Sequence, residues 1–122
     1  VVLKATVAER DLPWHLAKVA FAGGVLWVRD TGMALGQSVR LRILARDVSL
    51  SVQAAQDSSI QNHIAGQIES IADDAHPSQA LVRVRCGDSC VVSRVTRRAL
   101  SSLSLSQGSQ VWVQVKSVAV MS

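Results

Sequence analysis

The sequence predicts an all-β protein built from two related β-barrel units in tandem, the second carrying one short helix. Three observations predict this. Apolar and polar residues alternate along much of the chain, turn signals separate the alternating runs, and the second half repeats the first. The repeat runs through three blocks in the same order. In the last, Gly36 falls on Gly108, Val39 on Val111, Leu41 on Val113, Ile43 on Val115 and Val48 on Val120. Upstream, "AFAGGVLWV" from Ala20 matches "VRCGDSCVV" from Val84, and "LKATV" from Leu3 matches "IAGQI" from Ile64. The offsets differ because the second copy carries an extra segment, "SRVTRRALSSLS".

Each element has a local reason. Val39, Leu41 and Ile43 interleave with Arg40 and Arg42, and Val111, Val113 and Val115 with Trp112, Gln114 and Lys116, so each run has one buried and one wet face. Strands are expected near 2–9, 16–22, 25–29, 38–50, 63–72, 80–86, 89–95 and 110–121. Gly23-Gly24 reads as a tight hairpin turn, since both central residues of a type I′ turn need positive φ, and Gly87-Asp88 as its counterpart. Pro13 and Pro77 fall in equivalent loops. The helix starts at Thr96, a suitable N-cap, buries Ala99, Leu100 and Leu103 on one face, and stops at Gly108. The polar link from Ser51 to Ser59 joins the copies, giving units 1–52 and 53–122 that together form one compact domain. Four to five strands per copy suit a small OB-like barrel.

Size and composition narrow the function. The chain has 122 residues, and a unit of about 50–60 residues buries too little apolar surface to stand alone, so the copies should share a core or dimerise. No apolar run approaches the roughly 20 residues of a membrane helix. The opening "VVLKATV" has neither an initiating Met nor a signal-peptide pattern and reads as cut from something longer. Thirteen Lys and Arg against nine Asp and Glu give +4, which slightly favours anionic partners. Cys86 and Cys90 flank "GDS" without a second CxxC or a nearby His to complete a metal set, so free thiols and a reducing compartment are expected.

Catalysis finds no support. The chain lacks a GxxxxGK[ST] phosphate loop, a GxSxG elbow and an HExxH helix, and His15, His63 and His76 fall at no dyad spacing. Asp73-Asp74 reads as a solvated turn. Oxyanion binding fits better, because a tetrahedral dianion needs several short donors and one or two cations. Three clusters offer them: "DSSIQN" from Asp57, "RVTRR" from Arg94, and "KSV" from Lys116. Singly, each is equally a linker, a cap or a strand edge.

Together, "SSIQN" and "RVTRRALSSLSLSQGSQVWVQVKSVAVM" resemble the Mop (molybdate-binding) module, with its SARN-like start, helix entry at a threonine, L-x-L-x-x-G turn at Leu103 to Gly108, and final strand ending in lysine. "LRILARDVSLSVQAAQDSSIQN" resembles the C-terminal TOBE region of the ATP-binding subunit of bacterial molybdate ABC importers. The resemblance implies tandem OB-like Mop/TOBE barrels that are usually dimeric, with molybdate or tungstate at interfaces between units and no covalently bound cofactor or metal. Carried over by position, the donors are Ser59, Gln61, Thr96, Lys116 and Ser117. Gln61 stands where the pattern has Arg. In the first copy Leu44-Ala45 replaces Lys116-Ser117, and "VRDTG" replaces the helix entry, so a site would need a dimer partner.

The same resemblance implies a regulatory or dimerising role beside an N-terminal ATPase domain and transmembrane permease subunits, in the cytoplasm at the inner face of the membrane. The chain itself would hydrolyse nothing. Alternatives are a ligand-free dimerisation module, a free-standing molybdate storage or sensor protein, and an OB-fold nucleic-acid binder. The last has only Trp112 with Arg40 and Arg42 as a stacking platform, and nucleic acid is not the expected partner.

Overall fold

The computed structural model describes residues 1–54 and 57–121. The expected link across Ser51–Ser59 therefore contains two positions, Ala55 and Gln56, outside the described residues. The first copy forms β1 (Val2–Asp11), β2 (Leu16–Phe21), β3 (Gly24–Arg29), β4 (Ser38–Arg42) and β5 (Val48–Ser51). The second forms β6 (Asn62–Asp73), β7 (Gln79–Cys86), β8 (Ser89–Thr96), helix α1 (Arg97–Ser102), β9 (Gln110–Val115) and β10 (Ala119–Met121). Among the described residues no helix is long and apolar enough to cross a membrane.

The strands form two five-stranded sheets, ordered β10-β4-β1-β2-β3 and β5-β9-β6-β7-β8. Each sheet takes its edge strand from the other copy. The single strands expected at 38–50 and 110–121 are each broken for this reason: the chain leaves one sheet after Arg42 or Val115 and enters the other at Val48 or Ala119. A 3₁₀ turn over Ala45–Asp47 makes the first crossing, and the Lys116 N–H donates to the Asp47 carbonyl at 2.8 Å, tying the two crossings together. Each incoming strand lies antiparallel to its host, Val120 opposite Leu41 and Val48 opposite Val115.

The two copies match in detail. The register of β1 on β2 shifts between Val7 and Glu9, and that of β6 on β7 between Ile68 and Ser70, the signature of one bulged residue at the same place in each. Gly36 N–H donates to Val7 O at 2.8 Å, and Gly108 N–H to Ile68 O at 2.8 Å. The β2–β3 hairpin corrects the expected turn. Phe21 pairs with Gly24, so the central residues are Ala22-Gly23, while Cys86 pairs with Ser89 around Gly87-Asp88. Gly24 instead begins β3, at φ +150°. The copies therefore correspond here one residue away from the sequence alignment, with Trp27 on Val92 and Thr31 on Thr96.

Helix α1 replaces a turn in the first copy. Thr96 Oγ1 accepts from the Ala99 N–H at 3.1 Å, capping its start. The stop is not Gly108 as expected. Ser104, at φ +52°, ends the helix with Ser104 N–H to Ser101 O at 3.1 Å and Leu105 N–H to Leu100 O at 2.9 Å, the paired bonds of a Schellman motif. Leu100 is buried but Leu103, as the C-cap, is 38% exposed, which departs from the expected three-residue buried face. In the first copy Asp30 does the same job without a helix. Its Oδ1 accepts from the Gly32 and Met33 N–H groups at 2.8 and 3.2 Å, and its Oδ2 from Arg10 Nε at 2.8 Å.

Those donors, Arg10 first, hold the Asp30 carboxyl below its ordinary value of 3.8. A depressed folded-state value stabilises the fold above the ordinary value and loses that contribution as pH falls below 3.8. Wild type should therefore unfold at higher urea than Asp30→Asn near neutrality, with the gap closing as pH drops through that range. A gap that stays constant down to pH 2, or about there, would show that the charge does not matter.

The inward faces of both sheets contribute to one core, including Val7, Val19, Leu26, Leu41, Ile43, Ile68, Val84 and Val113. Asn62 fastens β6 to β3 across the copies. Its Oδ1 accepts from the Trp27 N–H at 2.8 Å and its Nδ2 donates to Trp27 O at 2.9 Å, imitating a strand partner. Asn62→Ala leaves both partly buried backbone groups unpaired and should destabilise by about 1–3 kcal/mol, read from urea unfolding.

Candidate functional site

The crossings generate the clefts. Where β9 runs out into Lys116-Ser117 toward β10, the chain passes the end of β3. Ser117 there lines a cleft of about 350 Å³ with Arg29, Thr31, Val118, Ala119 and Val120. The equivalent crossing from β4 to β5 passes the end of β8, where Arg42, Leu44, Ala45, Arg46 and Arg94 line a cleft of about 400 Å³. The two clefts are pseudo-symmetric, with Arg29 in the place of Arg94 and Ser117 in the place of Ala45. The first offers a guanidinium and two hydroxyls; the second offers three guanidiniums, one of them engaged by Asp74 at 2.7 Å.

The five residues expected to bind an oxyanion are distributed as follows. Ser117 sits in the first cleft and Lys116 beside it, exposed, its backbone N–H held by Asp47. Thr96 is exposed and spent as the cap of α1. Ser59 is exposed in the approach to β6, where the neighbouring Ser58 Oγ accepts from the Ile60 N–H at 3.0 Å. Gln61 lines a separate cleft of about 360 Å³ with Asp11, Trp14, Leu16 and Trp27. The clefts thus separate Gln61 from Ser117. What Ser117 meets instead is Thr31, the first-copy counterpart of Thr96. The sequence alone sets "VRDTG", residues 28–32, against the helix entry at Thr96 without singling out Thr31 within it.

The remaining charged and thiol groups have structural partners. Glu69, the bulged residue of β6, accepts from Cys90 Sγ at 3.3 Å and faces Arg83 and Arg85 at 3.3 Å each. The Cys90 thiol, then the Arg85 guanidinium, hold its carboxyl below the usual range. Asp73 pairs with Arg97 and Asp74 with Arg94, so both act as ion-pair partners. Cys86 is opposite Ser89 and Cys90 opposite Arg85, which puts the two thiols on opposite faces of the hairpin, both free. Burial pushes the Cys86 thiol up to about 11. Iodoacetamide at neutral pH should modify Cys90 in the native protein and Cys86 only after unfolding. Equal native rates would contradict the buried placement. No group of three or more potential metal ligands occurs among the described residues. Trp112 lies on the outer face of the second sheet while Arg40 and Arg42 lie on the first, so the residues considered for base stacking do not share a sheet.

Two OB-like half-barrels, interlocked through exchanged edge strands and carrying small polar clefts at the crossings, define a tandem OB-like β-barrel module. The chain belongs to the TOBE domain family, whose model matches residues 58–122. It is similar to "Molybdenum import ATP-binding protein ModC" of Methylococcus capsulatus, 51% identical over 120 residues that make up 98% of this chain and 34% of that protein. The protein of the same name from Thiobacillus denitrificans is 50% identical over 121 residues, 99% of this chain and 33% of the relative. The chain spans about a third of the length of the curated relatives it matches. Among solved structures, the cytoplasmic molybdate-binding protein ModG superposes with a TM-score of 0.84 at 22% identity, over 99% of this chain and 94% of that one, which shows the shared fold.

Proposed function

We propose that this chain is the regulatory and dimerising domain of a molybdate importer's ATP-binding subunit, and that it takes molybdate or tungstate at interfaces between units. The relatives' names supply the transport context, and the fold shared with a molybdate-binding protein supplies the precedent. The observation that carries the reading is the meeting of Ser117 with Arg29 and Thr31 at a strand crossing. A cation flanked by two hydroxyls, drawn from both copies, is donor chemistry suited to a tetrahedral dianion. Lys116, adjacent and exposed, adds a second charge. Ser59, Gln61 and Thr96 lie elsewhere in the single chain, so their part in binding requires a second copy to bring them to a ligand. On this reading the chain works as a homodimer in the cytoplasm, beside an ATPase domain and membrane permease subunits, and a filled site restrains import.

Calorimetric titration with molybdate, with sulfate as control and the solution mass measured alongside, tests this. A saturable molybdate heat in a dimer, weakened about tenfold or more by Lys116→Ala and not reproduced by sulfate, is the expected result. A dimer giving no molybdate heat would favour the ligand-free dimerisation module, a reading that Gln61, lining a cleft with Trp14 and Trp27 where the Mop pattern has an arginine, supports. In the whole importer, saturating molybdate should lower the ATPase rate; an unchanged rate would remove the regulatory half of the proposal.

A further inference from the structure

A further concavity lies away from the crossings, on the outer face of the first sheet. It is a groove of about 680 Å³ whose walls include Lys4, Thr6, Ser38 and Arg40, with Ala20 and Ala22 among the small residues that keep it open. The register explains the grouping. Lys4 is directly opposite Arg40, and Thr6 directly opposite Ser38, on β1 and β4. Side chains two residues apart on a strand share a face, so the four donors form a rectangle of about 7 Å by 5 Å at its base.

This arrangement is costly unless something answers it. Two cations directly opposite on neighbouring strands repel. Among the described residues neither Lys4 nor Arg40 has a carboxylate partner, although five other cations of this chain do. The second sheet shows that the fold does not demand the cluster. Its equivalent pairs are Ala65 opposite Trp112 and Gln67 opposite Gln110, without charge. The groove also lies outside the residues matched to the family.

We propose that Lys4, Arg40, Thr6 and Ser38 form a binding site for a phosphate-like tetrahedral dianion, distinct from the cleft at Ser117. The guanidinium and ammonium neutralise the charge, and the two hydroxyls direct the remaining oxygens, which a halide would not use. The same chemistry serves a free oxyanion or the phosphate group of a larger molecule.

The test is an amide-resolved NMR titration of the whole 122-residue chain with inorganic phosphate at fixed ionic strength, repeated with glycerol phosphate. The expected result is a saturable shift of the amides around residues 4–6 and 38–40. Arg40→Gln should weaken it about tenfold or more, whereas Arg98→Gln, an exposed cation elsewhere, should leave it in place. Lys4→Gln repeats the test should Arg40→Gln fail to fold. Glycerol phosphate binding as tightly as phosphate assigns the site to a phosphate ester, and weaker binding assigns it to the free ion. Shifts that never saturate, that persist in both variants, or that centre on Lys116 and Ser117 instead would overturn the proposal.

Discussion

Replacing Gly23 with alanine should destabilise this protein by about 3 kcal/mol or more, since of the chain's seven glycines it makes the tightest approach to backbone. The reason is proximity. A Cβ at Gly23 would collide with the carbonyl oxygen of Cys86 and lie 2.8 Å from Phe21 Cε2 and 3.0 Å from Cys86 Cβ. The first of these is backbone and has nowhere to go. The contact is reciprocal, since a Cβ at Gly87 would lie 2.7 Å from the carbonyl oxygen of Ala22. The tips of the β2–β3 and β7–β8 hairpins thus rest on each other, glycine against backbone, one from each copy. Gly87 adds a conformational requirement, at φ +57°, where a side chain costs about 1–2 kcal/mol.

Gly108 provides the comparison. It too has positive φ, +91°, but open space around its Cβ position, so alanine there meets backbone strain alone. Urea unfolding should rank the losses Gly23→Ala and Gly87→Ala well above Gly108→Ala. If Gly23→Ala came within about 1 kcal/mol of wild type, the hairpin tips could not be in contact in solution.

How much of this was legible in the sequence depends on what each feature leaves behind in local pattern. Alternation in Val39–Ile43 and Val111–Val115 announced strands with one buried face, and Thr96 announced a helix start, because both signals are local. The exchange of β5 and β10 was not legible. A strand alternates in the same way whichever sheet it joins, so pattern could not tell one long strand from two short ones in different sheets. The only trace is a lapse of alternation, Ile43-Leu44 in one copy and Ser117-Val118 in the other. The hairpin turn was displaced for a different reason. Gly23-Gly24 satisfies the turn rule, yet Gly23 is required by contact with the other hairpin and Gly24 opens a strand against Ile64, 3.5 Å from where its Cβ would be. One glycine needed for packing and one needed for a φ of +150° looked like two needed for a turn. Residues 28–32 fell against the helix entry at Thr96, but nothing local singled out Thr31 within them. Ser117's neighbours in the cleft, set by long-range crossing, were correspondingly out of reach. Trp14, 75% exposed beside the Gln61 cleft, left no sequence signal separating it from a core aromatic.

The strand exchange carries the second large expectation: the halves of this chain should not fold apart. Residues 1–52 contain β1 to β4, but their edge partner for β4 is β10, which places Val120 opposite Leu41 and Met121 opposite Arg40. The β5 strand they do contain belongs beside β9, with Val48 opposite Val115 and Leu50 opposite Val113. Residues 53–122 have the converse defect. Each fragment would expose fully buried side chains, Leu41 and Ile43 in one and Val113 and Val115 in the other, at a chain length where the apolar area buried barely offsets the entropy of ordering. Neither fragment alone should give a cooperative urea transition. Mixed in equal amounts they should recover one, because each supplies the strand the other lacks, together with Asn62 for Trp27 and one hairpin tip for its counterpart. A cooperative transition in residues 1–52 alone would mean that β10 is dispensable and that the copies are independent barrels. Recovery on mixing would instead make the interlock the unit of stability. A ligand held at a crossing, between Arg29 and Thr31 on one copy and Ser117 on the other, would then bind only the interlocked state and raise its stability in proportion to occupancy.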